Sequence, residues 1–117
     1  MNNVREVTED LLLTIGGCNP SMKGFKLVVD AVEMLIEQPG LKYHLVDGLY
    51  MELARKNLVS LTKVERAIRT LITRIYSNGD IDAIDNILGN IALMKSAKPT
   101  VGAFLSTLAL KVKRLCK

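Results

Sequence analysis

Apolar residues recur every three or four positions along most of the chain, which is the spacing of one face of an α-helix. The clearest run predicts a helix over Leu61–Tyr76. That run consists of Leu61, Val64, Ile68, Leu71 and Ile75. The alternating Val, Ile and Thr runs that indicate strands do not occur. The pattern therefore predicts an all-α fold, a single domain of about six helices over residues 1–117.

Capping and stop signals in the first third of the chain predict two helices. Thr8 is the expected N-cap of the first helix, and Gly16-Gly17 ends it. Ser21 is the expected N-cap of the second helix, which the pair Pro39-Gly40 terminates. Gly24 lies inside this second helix and costs about 1 kcal/mol relative to alanine. We therefore expect it to permit a close contact between helices.

The remaining helices follow from the same signals. Residues Leu41–Asn57 form a helical stretch that we expect to bend near Gly48, and Gly79 follows the end of the helix over Leu61–Tyr76. Thr100 is the expected N-cap of the last helix. The apolar faces of these helices comprise Leu45, Val46, Leu49, Tyr50 and Leu53; Ile84, Ile87, Leu88 and Ile91; and Phe104, Leu105, Leu108, Val112 and Leu115.

A tight turn separates two of these helices within Leu53–Arg69, where Ser60 is the expected N-cap of the second helix. At ~100° per residue, Arg66 falls opposite the apolar stripe of that helix. It is flanked by Thr62, Lys63, Arg69 and Thr70. Guanidinium groups pair with guanine edges, while ammonium and hydroxyl groups reach phosphates. The segment is thus predicted to form a helix-turn-helix. The alternative is an ordinary helix hairpin with a solvated basic face.

Composition is consistent with a folded protein that does not span a membrane. The chain has 117 residues, of which 49% are hydrophobic, which is enough for a substantial core. No apolar run approaches the ~18 residues of a membrane span, and no signal peptide precedes the first helix. We therefore expect a cytoplasmic protein with Cys18 and Cys116 as free thiols.

Charge is segregated along the chain. Residues 1–52 carry four basic and eight acidic side chains, whereas residues 53–78 carry six basic and one acidic. Residues 95–117 carry six basic side chains and none that are acidic. Such segregation favours a polyanionic partner, above all double-stranded DNA. An anionic membrane surface is negatively charged like DNA and is therefore an alternative partner.

Other candidate sites have simpler explanations. His44 is the only histidine and has no cysteine nearby, so we expect a structural or surface role. Asp80, Asp82 and Asp85 lack the glycine and the closing glutamate of a calcium loop, and fit the first turns of a helix instead. The basic residues of the C-terminal helix suit either its dipole or DNA phosphates; they are Lys111, Lys113, Arg114 and Lys117. No catalytic set emerges, so we expect neither an enzyme nor a bound cofactor or metal.

The order of several motifs resembles a known family. They are Lys23-Gly24, Leu49-Tyr50, the string Val64-Glu65-Arg66-Ala67-Ile68-Arg69, Gly79 with Ile81-Asp82, Gly89, and Lys98-Pro99-Thr100 with Phe104. From about Lys23 to Lys111 the chain is similar to the C-terminal effector domain of the stage-zero sporulation response regulator, the master transcription factor of endospore formation in Firmicutes.

The resemblance implies six helices with a central helix-turn-helix. It implies binding to a short DNA box of the TGTCGAA type, often as head-to-tail pairs on tandem boxes. The positions that match the family's base-contacting residues are Lys63, Glu65 and Arg66, with Arg69 nearby. The segment Gly79–Ala92 matches the surface with which the family contacts the housekeeping sigma factor of RNA polymerase.

Four departures qualify this resemblance. Lys63 replaces the usual Arg, which changes a bidentate contact into a point-charge contact. The residues after Thr100 lack the usual glutamate, so a capping box is lost and the last helix is expected to fray at its start. Leu110 replaces an acidic residue. The receiver domain that normally precedes this domain is absent from these residues, which is expected either of an excised domain or of a short paralogue.

The sequence thus predicts a DNA-binding transcription regulator that reads the major groove with the helix Leu61–Tyr76. The candidate DNA-binding residues are Arg55, Lys56, Ser60, Thr62, Lys63, Glu65, Arg66, Arg69 and Thr70. The alternative is a protein-interaction module with weak DNA affinity, which contacts sigma factor or a full-length regulator.

Overall fold

Helix α2 (Lys23–Glu37) occupies the centre of the computed structural model, which describes residues 3–89 and 99–116. The most extensive helix contacts of α2 are with α1 (Val4–Ile15), α4 (Leu61–Asn78) and α6 (Val101–Leu115). Because α2 is enclosed on several sides, nine of its fifteen residues are buried. A helix that is apolar around most of its circumference is expected at such a position.

Shorter elements complete the fold. Helix α3 (Met51–Asn57) precedes α4, and α5 (Ile81–Leu88) lies between α4 and α6 in the sequence. A 3₁₀ helix (Pro39–Tyr43) and a π-helix (Leu45–Tyr50) connect α2 to α3. The described residues contain no strand, so the predicted all-α fold with six α-helices is confirmed.

The first two helices do not begin at the predicted caps. Helix α1 starts earlier, because the side chain of Asn3 accepts hydrogen bonds from the backbone N–H groups of Arg5 and Glu6. Thr8 is therefore a buried residue inside the helix, and its hydroxyl donates to the carbonyl of Val4 at 2.8 Å. Both predicted helices exist, but the Thr8 cap is wrong.

The predicted Ser21 cap is also wrong. The backbone N–H and the hydroxyl of Ser21 both donate to the side-chain oxygen of Asn19, which is the local turn that an asparagine favours. Helix α2 then begins at Lys23, with Met22 as an N-cap that makes no side-chain hydrogen bond.

The stretch Leu41–Asn57 is not a single bent helix. The backbone N–H of Leu49 donates to the carbonyl of His44 at 2.9 Å, which is the wider i→i+5 pairing of a π-helix. The predicted bend near Gly48 lies within this π-helix. Leu49, Tyr50 and Leu53 are buried as predicted, whereas Val46 is 60% exposed.

The apolar stripes of the later helices lie in the core with few exceptions. In α4, Leu61 is exposed, although the other four members of the predicted run are buried together with Ile72. In α6, Leu115 is 46% exposed, while the other four predicted residues are buried. Ile84, Ile87 and Leu88 of α5 are buried as predicted; Ile91 lies outside the described residues.

The predicted Thr100 cap is confirmed, whereas Asp80, which was expected in the first turn of a helix, is the N-cap of α5. The Asp80 carboxylate accepts from the backbone N–H of Ala83, and the Thr100 hydroxyl accepts from that of Ala103, both at 3.1 Å. Helix α6 thus keeps its N-cap bond although the capping box is lost. No helix in the described ranges is long and apolar enough to cross a membrane. Both cysteines are free thiols.

Candidate nucleic-acid interface

Helix α3, a three-residue turn and helix α4 form a helix-turn-helix. The turn begins at Leu58, whose backbone is left-handed with φ 56° and ψ 45°. The backbone N–H of Val59 donates to the carbonyl of Ala54 at 3.0 Å, which closes the end of α3. The hydroxyl of Ser60 then accepts from the backbone N–H of Lys63 at 3.2 Å. The predicted Ser60 cap is therefore confirmed, because its side-chain oxygen accepts a backbone hydrogen bond at the start of α4.

The side of α4 that faces away from the core carries the predicted polar residues. Arg66 is exposed, whereas Val64 and Ile68 on the opposite side are buried. The exposed set also contains Thr62, Lys63, Glu65, Arg69 and Thr70. The structure thus places the six predicted α4 residues at the surface of one amphipathic helix.

Several of the candidate residues form ion pairs with neighbours. The guanidinium of Arg69 lies 3.4 Å from the Glu65 carboxylate one turn earlier. In α3, the guanidinium of Arg55 lies 2.5 Å from the carboxylate of Glu52. Exposed pairs of this kind contribute at most about 1 kcal/mol, so a phosphate group can displace either carboxylate.

Lys63 and Arg66, unlike Arg55 and Arg69, are not engaged in ion pairs among the described residues. Within residues 3–89 and 99–116, no carboxylate forms an ion pair with either side chain. Both line an open groove of about 810 Å³ between the start of α2 and the exposed side of α4, together with Thr70. The α2 side of this groove contributes Lys23 and Lys26. The groove therefore places four cationic side chains around one cavity.

A buried carboxylate supports this surface from below. The side chain of Asp30 in α2 is fully buried and pairs with three cations. Its oxygens lie 2.8 Å from Arg5, 3.2 Å from Lys26 and 3.4 Å from Lys56. It also accepts from the side-chain amide of Asn57 at 3.2 Å. Asp30 thus connects α1 and α2 to the end of α3, immediately before the turn.

The partners of Asp30 determine its ionisation. Burial by itself would raise the pKa of Asp30, but hydrogen bonds from Arg5, Asn57 and Lys26 and the charge of Lys26 outweigh it and hold the pKa below its usual value. Asp30 is therefore a carboxylate at neutral pH, and Lys56, a predicted DNA contact, is anchored to it.

Sequence reasoning missed Asp30, Lys23 and Lys26 as parts of the site. Asp30 lies within the apolar pattern of α2, where a single acidic residue indicates nothing about its partners. Lys23 and Lys26 lie in a region of net negative charge, and only the packing of α2 against α4 brings them to the basic helix.

The fold and site define an all-helical domain with a helix-turn-helix whose second helix presents an exposed basic face. The family model for the C-terminal part of the sporulation initiation factor Spo0A matches residues 8–112 of the chain. The chain belongs to this family, so the resemblance drawn from the string around Arg66 is confirmed. The family consists of DNA-binding, transcription-regulating domains of sporulation and is not a family of enzymes.

Proposed function

We propose that this protein regulates transcription by binding specific DNA sequences, with α4 in the major groove. The observation that carries the proposal is the exposed, unpaired state of Lys63 and Arg66 within the described residues, on a helix whose opposite side forms the core. The N-terminal part of a recognition helix contacts base edges in a helix-turn-helix, and both residues lie in the first two turns of α4.

The candidate residues have different roles in this proposal. Arg66 pairs with the edge of a guanine, and Lys63 supplies a single point-charge contact. Glu65 orients Arg69 through their ion pair or accepts from a cytosine amino group. The remaining candidates contact phosphates, which fix the orientation of the helix on the duplex; they are Arg55, Lys56, Ser60, Thr62 and Thr70.

Fluorescence anisotropy tests the proposal with a tandem duplex of TGTCGAA-type boxes and a scrambled duplex. The wild type should bind the box duplex more tightly than the scrambled duplex. Arg66→Ala should lose about 1–3 kcal/mol of binding free energy on the box duplex but little on the scrambled duplex. Arg74→Ala is the matched control, because it removes the same charge from an exposed position two turns further along α4. Equal weakening on both duplexes by Arg66→Ala would contradict base recognition.

Pairs of molecules on tandem boxes are a further part of the proposal. Analytical ultracentrifugation tests this part. It measures the stoichiometry and the affinity per site of the complexes with one box and with two boxes. Two molecules should bind the tandem duplex with higher affinity per site than one molecule binds the single box. Equal affinity per site would indicate independent binding.

A protein-interaction module is the second candidate function. It is supported by Ile81, which is 77% exposed on α5 beside the acidic residues Asp80 and Asp82. These residues belong to the segment Gly79–Ala92, of which residues 90–92 lie outside the described part of the chain. Capture of purified sigma factor by the Arg66→Ala variant, together with no gel shift by the wild type, would favour this function over DNA recognition.

A further inference from the structure

The groove between α2 and α4, here called the α2–α4 groove, has a strongly one-sided charge. Its cationic side chains are Lys23, Lys26, Lys63 and Arg66. No carboxylate lines it among the described residues. A groove of this kind attracts a polyanion, because the low-dielectric walls and the clustered positive charge both strengthen the local potential.

Lys26 is held in place at one side of the groove. Its ammonium donates to the side-chain oxygen of Asn57 at 2.7 Å and to Asp30 at 3.2 Å. The Lys26 side chain is nevertheless 60% exposed. A cation that is positioned by the protein and still accessible loses little conformational entropy when it binds a phosphate.

Lys23 lies on the same side of the groove and is exposed. In the part of the chain that the structure describes, no carboxylate pairs with it. The opposite side of the groove is α4, with Lys63, Arg66 and the hydroxyl of Thr70. Cations therefore face the cavity from both sides.

From this arrangement we infer that the α2–α4 groove seats the sugar–phosphate backbone of one DNA strand, with Lys23 and Lys26 as phosphate contacts. The inference rests on the proposed function, because the strand enters the groove when α4 lies in the major groove. Lys63 and Arg66 then stand at the boundary between the backbone and the base edges. The start of α2 thus becomes part of the DNA-binding surface, outside the helix-turn-helix itself.

The salt dependence of DNA binding tests this inference with Lys23→Gln. Each phosphate contact contributes about −0.9 to the slope of log K against log salt concentration on B-DNA. Lys23→Gln should therefore make the slope shallower by about 0.9 and weaken the box and scrambled duplexes by the same factor. Lys26→Gln should act in the same direction, with circular dichroism to verify the fold because Lys26 also contacts Asp30.

Lys42→Gln is the matched control, since Lys42 is exposed on the 3₁₀ helix and does not line the groove. A slope for Lys23→Gln equal to that of Lys42→Gln would overturn the inference. If the box preference and its loss in Arg66→Ala persisted in that case, the proposed function would still stand. If the wild type did not prefer the boxes at all, the proposed function itself would fail.

Sedimentation with phosphatidylserine vesicles distinguishes DNA from an anionic membrane as the occupant of the groove. Under the inference, Lys23→Gln and Lys42→Gln should sediment with the vesicles to the same extent. Loss of vesicle binding in Lys23→Gln alone, with an unchanged salt slope on DNA, would assign the groove to a membrane and overturn the inference.

Discussion

Gly24 of α2 lies directly against the backbone of Ala67 in α4, since a Cβ atom at Gly24 would be 2.4 Å from the Ala67 carbonyl oxygen. The neighbouring atom belongs to the backbone and cannot rotate away. The absence of a side chain at this position therefore allows α2 and α4 to pack closely. The same contact determines the separation of the two sides of the α2–α4 groove.

Gly24→Ala should destabilise the protein although alanine favours helices. Overpacking usually costs about 1–3 kcal/mol, and alanine regains ~1 kcal/mol of this by helix propensity, so we expect a net loss of up to about 2 kcal/mol. Urea unfolding measures it. Gly40→Ala is the control, because a Cβ at Gly40 would meet no atom within 4 Å. Equal stability of the two variants would contradict the close packing of α2 on α4.

Asp30→Asn should also lower the free energy of unfolding, because it removes the charge that three cations share. We expect a loss of roughly 1–3 kcal/mol, the cost of leaving a buried polar group incompletely satisfied. Glu33→Gln is the control, since Glu33 pairs with the same Arg5 at 3.0 Å but is 31% exposed; it should change stability by at most about 1 kcal/mol. A smaller effect for Asp30→Asn than for Glu33→Gln would refute the supporting role of Asp30.

Asp30 also makes stability depend on pH in the acid range. Its pKa is lower in the folded protein than in the unfolded chain, where an aspartate titrates at about 3.9. Its stabilising contribution is therefore complete at pH values above that and is lost as the pH falls through the folded-state pKa. Urea midpoints of the wild type should fall more steeply below about pH 4 than those of Asp30→Asn. Parallel curves would indicate that the pKa of Asp30 is not lowered by folding.

Leu58 allows a test of the turn between the two helices of the motif. Its left-handed backbone costs an ordinary L-residue about 1–2 kcal/mol, and its side chain is 92% exposed, so it contributes little to the core. Leu58→Asn should therefore retain or increase stability, because asparagine tolerates this conformation. Leu58→Val should decrease it, since a branched Cβ is least compatible with positive φ. Thermal unfolding of the two variants measures whether each is more or less stable than the wild type. Higher stability of Leu58→Val would contradict the turn geometry.

The parts of the fold that could be predicted are those that local patterns determine. The stripe of α4 and the Ser60 cap depend on residues within a few positions of each other, and both were predicted correctly. The early start of α1 was missed because Asn3 and Thr8 are both good caps, and burial of Thr8 decides between them. The π-helix before α3 was missed because its apolar spacing resembles that of an α-helix.

The site was predictable only along α4. Arg66 and Lys63 follow from the periodicity of a single helix, and the structure places both at the surface. Asp30 and Lys26 join the site through contacts with Asn57, which is 27 or more residues away in the sequence. No local pattern encodes such contacts, because they depend on how α2 packs against α3 and α4.

The most direct test of DNA recognition couples Arg66 to individual guanines of the box. Replacing one guanine with 7-deazaguanine removes the N7 acceptor of the major groove and leaves base pairing intact. The measurement is the anisotropy-derived Kd of wild type and Arg66→Ala for boxes modified at each guanine in turn. At one guanine, we expect the modification to reduce the binding free energy of the wild type by about 1–3 kcal/mol and to leave the Kd of Arg66→Ala unchanged. Equal effects on both proteins at every guanine would contradict recognition by Arg66.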